Sequence, residues 1–79
     1  MKNATILTTL EALFEVMDPR ATVNIFKETD NGNNELLRSN KLYNLLADNE
    51  FIGNRSIYNA KVIGLSIALG VASILIEEA

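Results

Sequence analysis

The acidic side chains are the residues with most capacity for chemistry here, because the 79 residues include no histidine and no cysteine. Histidine is the commonest general base, and a cysteine thiolate is a strong nucleophile and metal ligand. Two carboxyl groups can catalyse hydrolysis without either residue. Asp48 and Glu50 are close enough in sequence to form such a pair, but their place at a predicted helix end favours two solvated carboxylates.

A second acidic segment, residues 30–35 with the sequence DNGNNE, has some likeness to a calcium-binding loop. An EF-hand loop requires an oxygen ligand at its third position and glycine at its sixth. Here Gly32 is third and Glu35 is sixth, so we predict a turn. The serines have no histidine to activate them, and the glycines lack a phosphate-loop spacing. The sequence therefore predicts a protein that is not an enzyme and that binds no metal and no cofactor.

Three further acidic residues, Glu11, Glu15 and Asp18, form the candidate partner-binding surface. Their spacing of i, i+4 and i+7 places them on one face of a helix, with no lysine or arginine within that helix spaced to neutralise them. Such a stripe is either an ordinary solvated face or a surface that docks on a basic protein. The net charge of −3 argues against direct binding to nucleic acid. We therefore predict a protein partner with a basic surface.

The acidic stripe lies on a predicted first helix. Thr8 and Glu11 have the spacing of a capping box, in which each side chain accepts from an otherwise unpaired backbone N–H. Asp18 precedes Pro19, which disfavours helical geometry and predicts the helix end. Apolar residues follow one stripe of this helix: Leu10, Leu13, Phe14 and Met17.

The next segment predicts a β-hairpin and a second helix. Residues 22–28 are rich in β-branched and aromatic types, and Asn31-Gly32 is the favoured pair for a two-residue type I′ turn. That turn places Phe26 opposite Leu37 and Glu28 opposite Glu35, and a longer loop would separate these two like charges.

The second helix is predicted to begin at Ser39 as N-cap and to end near Asp48 or Asn49. Its buried face consists of leucines, with Tyr43 at its side, and the following residues 49–59 are predicted to be a loop with three apolar anchors. The leucines are Leu42, Leu45 and Leu46, and the anchors are Phe51, Ile52 and Ile57.

The segment VIGLSIALGVASILI, residues 62–76, contains no charged residue. As a helix it would extend about 22 Å at 1.5 Å per residue, short of the roughly 30 Å of bilayer hydrocarbon. Folded at Leu69-Gly70, it pairs Ile67 with Ala72, Leu65 with Ile74, and Ile63 with Ile76, so one side is entirely apolar. A four-residue loop from Ala68 to Val71 would restrict positive φ to Gly70. We predict a hairpin; the alternative is a membrane segment.

These elements predict a single α+β domain over residues 1–79. The order is helix-strand-strand-helix-strand-strand, and the most economical packing is a four-stranded, mainly antiparallel sheet with both helices on one face. Leu75, Val62 and Phe26 are predicted on the other face, where they would form an apolar interface surface. Glu11 and Glu15 interrupt the apolar amino-terminal segment, which argues against a signal peptide and predicts a cytoplasmic protein.

The segment TTLEALFEVMDPRATVNIF, residues 8–26, resembles small proteins carried by phages and mobile elements of Gram-positive bacteria. Many of these have a helix ended by an LDP-type motif, then a hairpin, a short helix and a second hairpin. Some small acidic phage proteins are anti-CRISPR inhibitors, which block a host nuclease by protein contact. The resemblance implies a non-enzymatic protein-interaction module that acts on a host protein. The alternative is a phage structural or assembly protein that self-associates, for example as a homodimer, through a hairpin edge or the outer sheet face.

Overall fold

The computed structural model describes residues 8–77 of the chain. These residues form four strands and four short helical segments, and no helix among them has the length and apolar character needed to cross a membrane. The elements are α1 (Leu10–Phe14), β1 (Thr22–Glu28), β2 (Asn34–Lys41), α2 (Leu42–Leu46), α3 (Asn49–Gly53), α4 (Arg55–Tyr58), β3 (Lys61–Ala68) and β4 (Val71–Glu77). The predicted α+β class is confirmed, whereas the predicted element order is matched only in part.

The sheet is mixed, with the strand order β2-β1-β4-β3. The β1–β2 and β3–β4 pairs are antiparallel hairpins, but β1 and β4 run parallel at the centre. The mainly antiparallel prediction is therefore right for the hairpins and wrong for the pair that joins them. The physical reason is burial, because β1 and β4 present the most buried side chains and both need central positions.

One apolar core lies between a single face of the sheet and the helices, which confirms that the helices share a face. The aromatic rings of Phe14, Phe51 and Tyr58 pack together at the helical side, with centroid separations of 5.7–6.3 Å. The sheet contributes Val23, Ile25, Val62, Ala72, Ile74 and Ile76, and the helices and their flanks contribute Leu10, Phe14, Leu42, Leu45, Phe51, Ile57 and Ala60.

Helix α1 begins one residue later than predicted. Thr9 is the N-cap, and its hydroxyl oxygen accepts from the Ala12 N–H at 3.2 Å. The predicted capping box from Thr8 to Glu11 is wrong, because the Thr8 carbonyl instead accepts from the Val62 N–H at 2.9 Å. Residues 8 and 9 thus lie beside the start of β3 before the chain turns into the helix.

The first hairpin has a longer loop than the Asn31-Gly32 turn predicted. Glu28 pairs with Asn34, so five residues, 29–33, form the loop, and Lys27 faces Glu35. In the same register Phe26 faces Leu36 rather than Leu37, and a bulge between Ile25 and Phe26 then leaves Leu37 as the extra residue of β2. The new register replaces the unfavourable Glu28–Glu35 pair by a lysine and a glutamate whose charged atoms lie 4.0 Å apart.

Ser39 does not cap the second helix, because β2 continues through it to Lys41. The Ser39 hydroxyl donates to the Asn24 side chain at 2.6 Å across the strand pair. Helix α2 starts without a side-chain cap because the turn before β1 supplies acceptors: the Leu42 N–H bonds to the Ala21 carbonyl, and the Tyr43 N–H bonds to the Pro19 carbonyl. A neighbouring loop therefore replaces the cap that the local sequence predicts.

The predicted loop over residues 49–59 is helical instead. Asp48 caps α3, its carboxylate accepting from the Glu50 and Phe51 N–H groups. Helix α4 follows after one residue, and α2 ends at Leu46, earlier than predicted. Two predicted anchors, Phe51 and Ile57, are buried, and Ile52 packs partly against the core. The apolar anchors are confirmed, whereas the absence of regular structure between them is wrong.

The carboxy-terminal segment is a β-hairpin, as predicted, rather than one helix. Ala68 pairs with Val71, so the turn has two residues, Leu69 at φ 54° and Gly70 at φ 78°, and the predicted four-residue loop is wrong. Leucine in this left-handed region costs about 1–2 kcal/mol. A bulge between Val62 and Gly64 makes Ile63 the extra residue.

That bulge changes which β3 residue enters the core. Val62, not Ile63, faces Ile76, and Val62 is fully buried. The predicted exposure of Val62 on the outer face is therefore wrong, because one inserted residue reverses the alternation of side chains at the start of the strand.

Candidate protein-interaction surface

The three acidic residues predicted as the partner-binding surface do not share one helix. Glu11 lies in α1, Glu15 is its C-cap residue, and Asp18 lies beyond the helix; all three are exposed. The helix ends because the N–H groups of residues 15–17 bond to carbonyls three residues earlier, which closes tighter turns than an α-helix. The i, i+7 relation of Glu11 and Asp18 consequently no longer defines a common face.

Asp18 is also neutralised by a nearby base. Its carboxylate accepts from the Arg20 backbone N–H at 2.9 Å and from the Arg20 Nε and Nη2 atoms at 3.2 Å each. Hydrogen bonds from the Arg20 side chain and backbone lower the pKa of Asp18. The predicted lack of a neutralising base concerned the helix itself, and the base that pairs with Asp18 is Arg20, which lies beyond the helix end.

Glu11 and Glu15 remain together beside Tyr58. Burial raises the pKa of the Tyr58 hydroxyl, and the negative charges of Glu11 and then Glu15 raise it further. Neither glutamate forms an ion pair within residues 8–77. The structure thus reduces the predicted acidic stripe to an acidic pair, Glu11 and Glu15, next to a half-buried tyrosine.

A row of exposed apolar side chains lies elsewhere, along β3. From Val62 to Ala68 this edge strand carries no charge. Leu65 and Ile67 are exposed, with 64% of Ile67 accessible, although they face Ile74 and Ala72 on the core side of the sheet. We call this row of residues 63–68 the free β3 edge, because within residues 8–77 only Thr8 and Thr9 pair with this side of the strand, at Val62 and Lys61.

The sequence predicts the correct face for Leu65 and Ile67 but not their exposure. Both lie on the side that the alternation of residues marks as apolar, and their cross-strand partners are buried. They stay uncovered because α1 ends at Phe14 and no other described helix reaches the far end of the edge strand. The sequence does contain one signal for this exposure: the helices have too few apolar residues to cover all four strands. That shortage is visible only when the whole chain is considered, and not from the pattern of β3 alone.

An open pocket of about 550 Å³ adjoins the far end of the free β3 edge. It lies between the turn that follows α1 and the β3–β4 turn. Val16 and Leu69 stand at its rim, 81% and fully exposed respectively. Its apolar wall includes Met17, Ile67, Leu69, Val71 and Ala72, and Asp18, Arg20 and Lys41 provide polar groups. The exposed edge therefore continues into a concave apolar surface.

The outer face of the sheet carries a smaller apolar group. Phe26 and Leu75 are half-buried neighbours on the central strands, and Leu36 on β2 is 51% exposed. Gly64 lies beneath Leu75, where an added methyl group would come within 3.3 Å of the Leu75 Cβ atom. The placement of Phe26 and Leu75 on this face agrees with the prediction. Serine side chains on β3 and β4 interrupt the patch, so it is less continuous than the free β3 edge.

Comparison with known proteins adds no family assignment: no protein-family model, no curated protein and no solved structure matches this chain.

Proposed function

We propose that this chain is a non-enzymatic protein-interaction module that accepts an extended strand from a partner along the free β3 edge. The carrying observation is an edge strand that has no charge after Lys61 and whose Leu65 and Ile67 side chains are exposed on the core side of the sheet. Strand addition gains backbone hydrogen bonds along the edge and selects side chains through alternating contacts. An edge of this kind without charge also invites pairing with other chains.

The pocket beside Leu69 supports the same proposal. It lies where an added strand would reach the end of β3, and its wall is apolar around Met17 and Ile67. Leu69 is fully exposed and has a positive φ, so the turn combines backbone strain with an uncovered apolar side chain. Strain and exposure of this kind are common where a surface contacts a ligand or partner.

The finer form of the proposal is a phage-encoded inhibitor of a host defence nuclease, acting in the host cytoplasm by protein contact. The acidic pair Glu11 and Glu15 would then contact a basic surface of that protein, in the manner proposed from the sequence. A self-associating phage assembly protein is the second candidate, and the uncharged free β3 edge favours it because every copy presents the same surface.

Capture from host lysate with matched charge variants tests the module. Ile67→Lys places a charge on the core side of the β3 edge, and Leu36→Lys places a charge on the outer side of the β2 edge, at a side chain of similar exposure. We expect Ile67→Lys to abolish association, whether with another protein or between copies, and Leu36→Lys to retain it. Equal behaviour of the two variants, with both folds intact by circular dichroism, would contradict binding through β3.

The acidic pair needs its own comparison. Replacing Glu11 and Glu15 by lysine should weaken capture of a basic partner, whereas Asp18→Lys should have a smaller effect because Arg20 already neutralises Asp18. Affinities for the captured partner would be measured at low and high salt. The double lysine variant should lose the salt dependence that the wild type shows. Unchanged affinity of the double variant would remove these glutamates from the contact.

A further inference from the structure

The chain is already paired with the edge strand β3 where the described residues begin. Thr9 forms an antiparallel bridge with Lys61, and the Thr8 carbonyl accepts from the Val62 N–H at 2.9 Å. These contacts fix the direction of the chain and its starting point on the edge. Residues before Thr8 that continue as an antiparallel strand therefore meet the free β3 edge next.

We propose that residues 3–7, with the sequence NATIL, occupy the free β3 edge of their own molecule as a fifth strand, antiparallel to β3. Both strands advance by about 3.3 Å per residue, so these residues extend along most of the edge, residues 63–68. The segment contains no charged residue, like the edge that it covers. Thr5 and Ile6 are β-branched, which favours extended backbone.

The bulge in β3 determines the register of this pairing. Val62 and Leu65 lie on the core side of the sheet although they are three positions apart, because Ile63 is an extra residue. A strand without a bulge alternates regularly between the two faces. With Thr8 opposite Val62, the next core-side positions of the new strand are consequently residues 6 and 4.

This register places the core-side residues of the segment against the exposed side chains of β3. Opposed residues of neighbouring strands share a face, so Ile6 lies beside Leu65 and Ala4 lies beside Ile67. Thr5, between them, points to the outer face. The new strand thus extends the apolar layer over two side chains that are exposed within residues 8–77.

Connectivity favours this segment over an apolar strand of another molecule. Many apolar strands could cover the two exposed side chains, but residues 3–7 are joined directly to Thr8, which already bonds to Val62. No loop has to be closed, so the pairing carries no loop-closure entropy. A segment attached in this way has an effective concentration at the edge on the order of millimolar or more, which separate chains seldom reach.

The pairing makes residues 3–7 an intramolecular competitor for the partner strand. This consequence rests on the proposed function, whereas the pairing itself does not. A partner gains access only in molecules whose segment has detached, and its apparent affinity is reduced by that fraction. The segment also covers an edge that has no charged side chains to prevent indiscriminate pairing.

Disulfide trapping in the full chain tests the pairing. The chain has no cysteine, so Ile6→Cys combined with Leu65→Cys introduces one possible disulfide within the molecule. We expect it to form rapidly under mild oxidation at low protein concentration, because opposed residues lie about 4.5–5.5 Å apart at Cβ. Ile6→Cys combined with Leu36→Cys, on the other edge strand, is the control and should stay reduced. Equal crosslinking of the two pairs, or none in the first, would overturn the proposal.

Amide hydrogen exchange of the unsubstituted chain provides a second measurement. Thr8 presents its carbonyl to β3, and the backbone groups of alternate residues in a strand point the same way. The N–H groups of Ile6 and Ala4 should therefore bond to β3 and exchange at least about tenfold more slowly than those of Thr5 and Leu7. Equally fast exchange at all four residues would overturn the proposal.

A fluorescently labelled synthetic peptide of residues 1–9 tests the competition. Ile6→Pro removes an N–H that bonds to β3, whereas the matched control Thr5→Pro removes one that faces away from it. The peptide should bind the full-length Ile6→Pro chain at least about tenfold more tightly than the wild type or Thr5→Pro, since a segment paired in about nine of ten molecules lowers the affinity about tenfold. Equal affinities for the three chains would contradict a competing segment.

Capture from lysate with the Ile6→Pro chain, whose edge is open, separates this proposal from the proposed function. The crosslink without capture that depends on Ile67 would support the fifth strand and overturn the module. Capture that is lost when Ile67→Lys is added, without the crosslink, would overturn the fifth strand and leave the module intact. Failure of both the crosslink and the capture would overturn both.

Discussion

The two edge strands of this sheet, β2 and β3, are similar in length but differ in charge and in side-chain exposure. The β2 edge carries charges of both signs and leads directly into α2, whose first N–H groups bond to the turn before β1. The β3 edge has no charge after Lys61, and its Leu65 and Ile67 side chains are exposed. Both edge strands contain a bulge, so bulging does not distinguish them. Among residues 8–77, therefore, charge and side-chain exposure, rather than backbone shape, distinguish the β3 edge from the β2 edge.

The largest expected effect is on the free energy of unfolding, and it distinguishes a core residue from a residue of the free β3 edge on the same face of the sheet. Ile74→Ala should destabilise the fold by about 3 kcal/mol, because Ile74 is fully buried. Ile67→Ala, on the same face, should cost less than about 1 kcal/mol at low protein concentration, since Ile67 is mostly exposed. Urea unfolding measures both. A large loss for Ile67→Ala in dilute monomer would mean that the β3 edge belongs to the core.

A smaller effect distinguishes the two hairpin turns. Leu69→Asn should stabilise the β3–β4 hairpin by about 1 kcal/mol, because asparagine tolerates positive φ and Asn-Gly is the favoured type I′ pair. The first hairpin already contains Asn31-Gly32 but has a five-residue loop, in which only Gly32 has positive φ. Asn31→Leu in that loop gives a contrasting case: it introduces no positive-φ strain, and it should destabilise the hairpin because the Asn31 amide oxygen accepts from the Thr29 hydroxyl and the Asn33 N–H. Thermal unfolding that shows no gain for Leu69→Asn would contradict a strained turn.

The smallest expected effect is a change in the pKa of Tyr58, which lies beside the acidic pair. This charged surface contrasts with the uncharged free β3 edge. The pKa of Tyr58 is raised above its ordinary value of 10.0, first by burial and then by Glu11 and Glu15. A raised pKa means that the folded state holds the proton more tightly. This contribution to stability is present below pH 10 and is lost as the pH rises through the folded-state pKa.

Ultraviolet titration in a Tyr43→Phe background, which leaves Tyr58 as the remaining tyrosine, measures that pKa directly. Replacing Glu11 and Glu15 by glutamine should lower the Tyr58 pKa, while Asp18→Asn should change it little. An unchanged titration in the double variant would place the two carboxylates away from Tyr58.

Several features could be predicted because they depend on neighbouring residues. The carboxy-terminal hairpin follows from the alternation of apolar side chains around Gly70, and the paired positions of Leu65 and Ile67 are correct. The anchors Phe51 and Ile57 are likewise correct, since large apolar residues in a small domain need burial. The errors lie where a distant element supplied a bond, as at Ser39, whose capping role was taken by carbonyls of the turn before β1.

The candidate site was harder to predict than the fold. Glu11 and Glu15 were correctly associated, because they lie one helical turn apart, but Asp18 was separated from them when α1 ended early. Helix length in so short a segment depends on tertiary packing rather than on local propensity. The exposure of the β3 edge depends likewise on which strands the helices cover, and no local pattern contains that information.

The amino-acid sequence by itself determined the α+β class, the two hairpins, the uncharged row in β3 and the lack of histidine and cysteine chemistry. These properties follow from residue types and from periods of two or four residues along the chain. Only the tertiary structure decided that β1 and β4 meet in parallel, that Val62 enters the core and that β3 stays at an edge. Those outcomes depend on competition among segments far apart in sequence for one limited apolar core, and pairing across such distances is settled by total burial rather than by local preference.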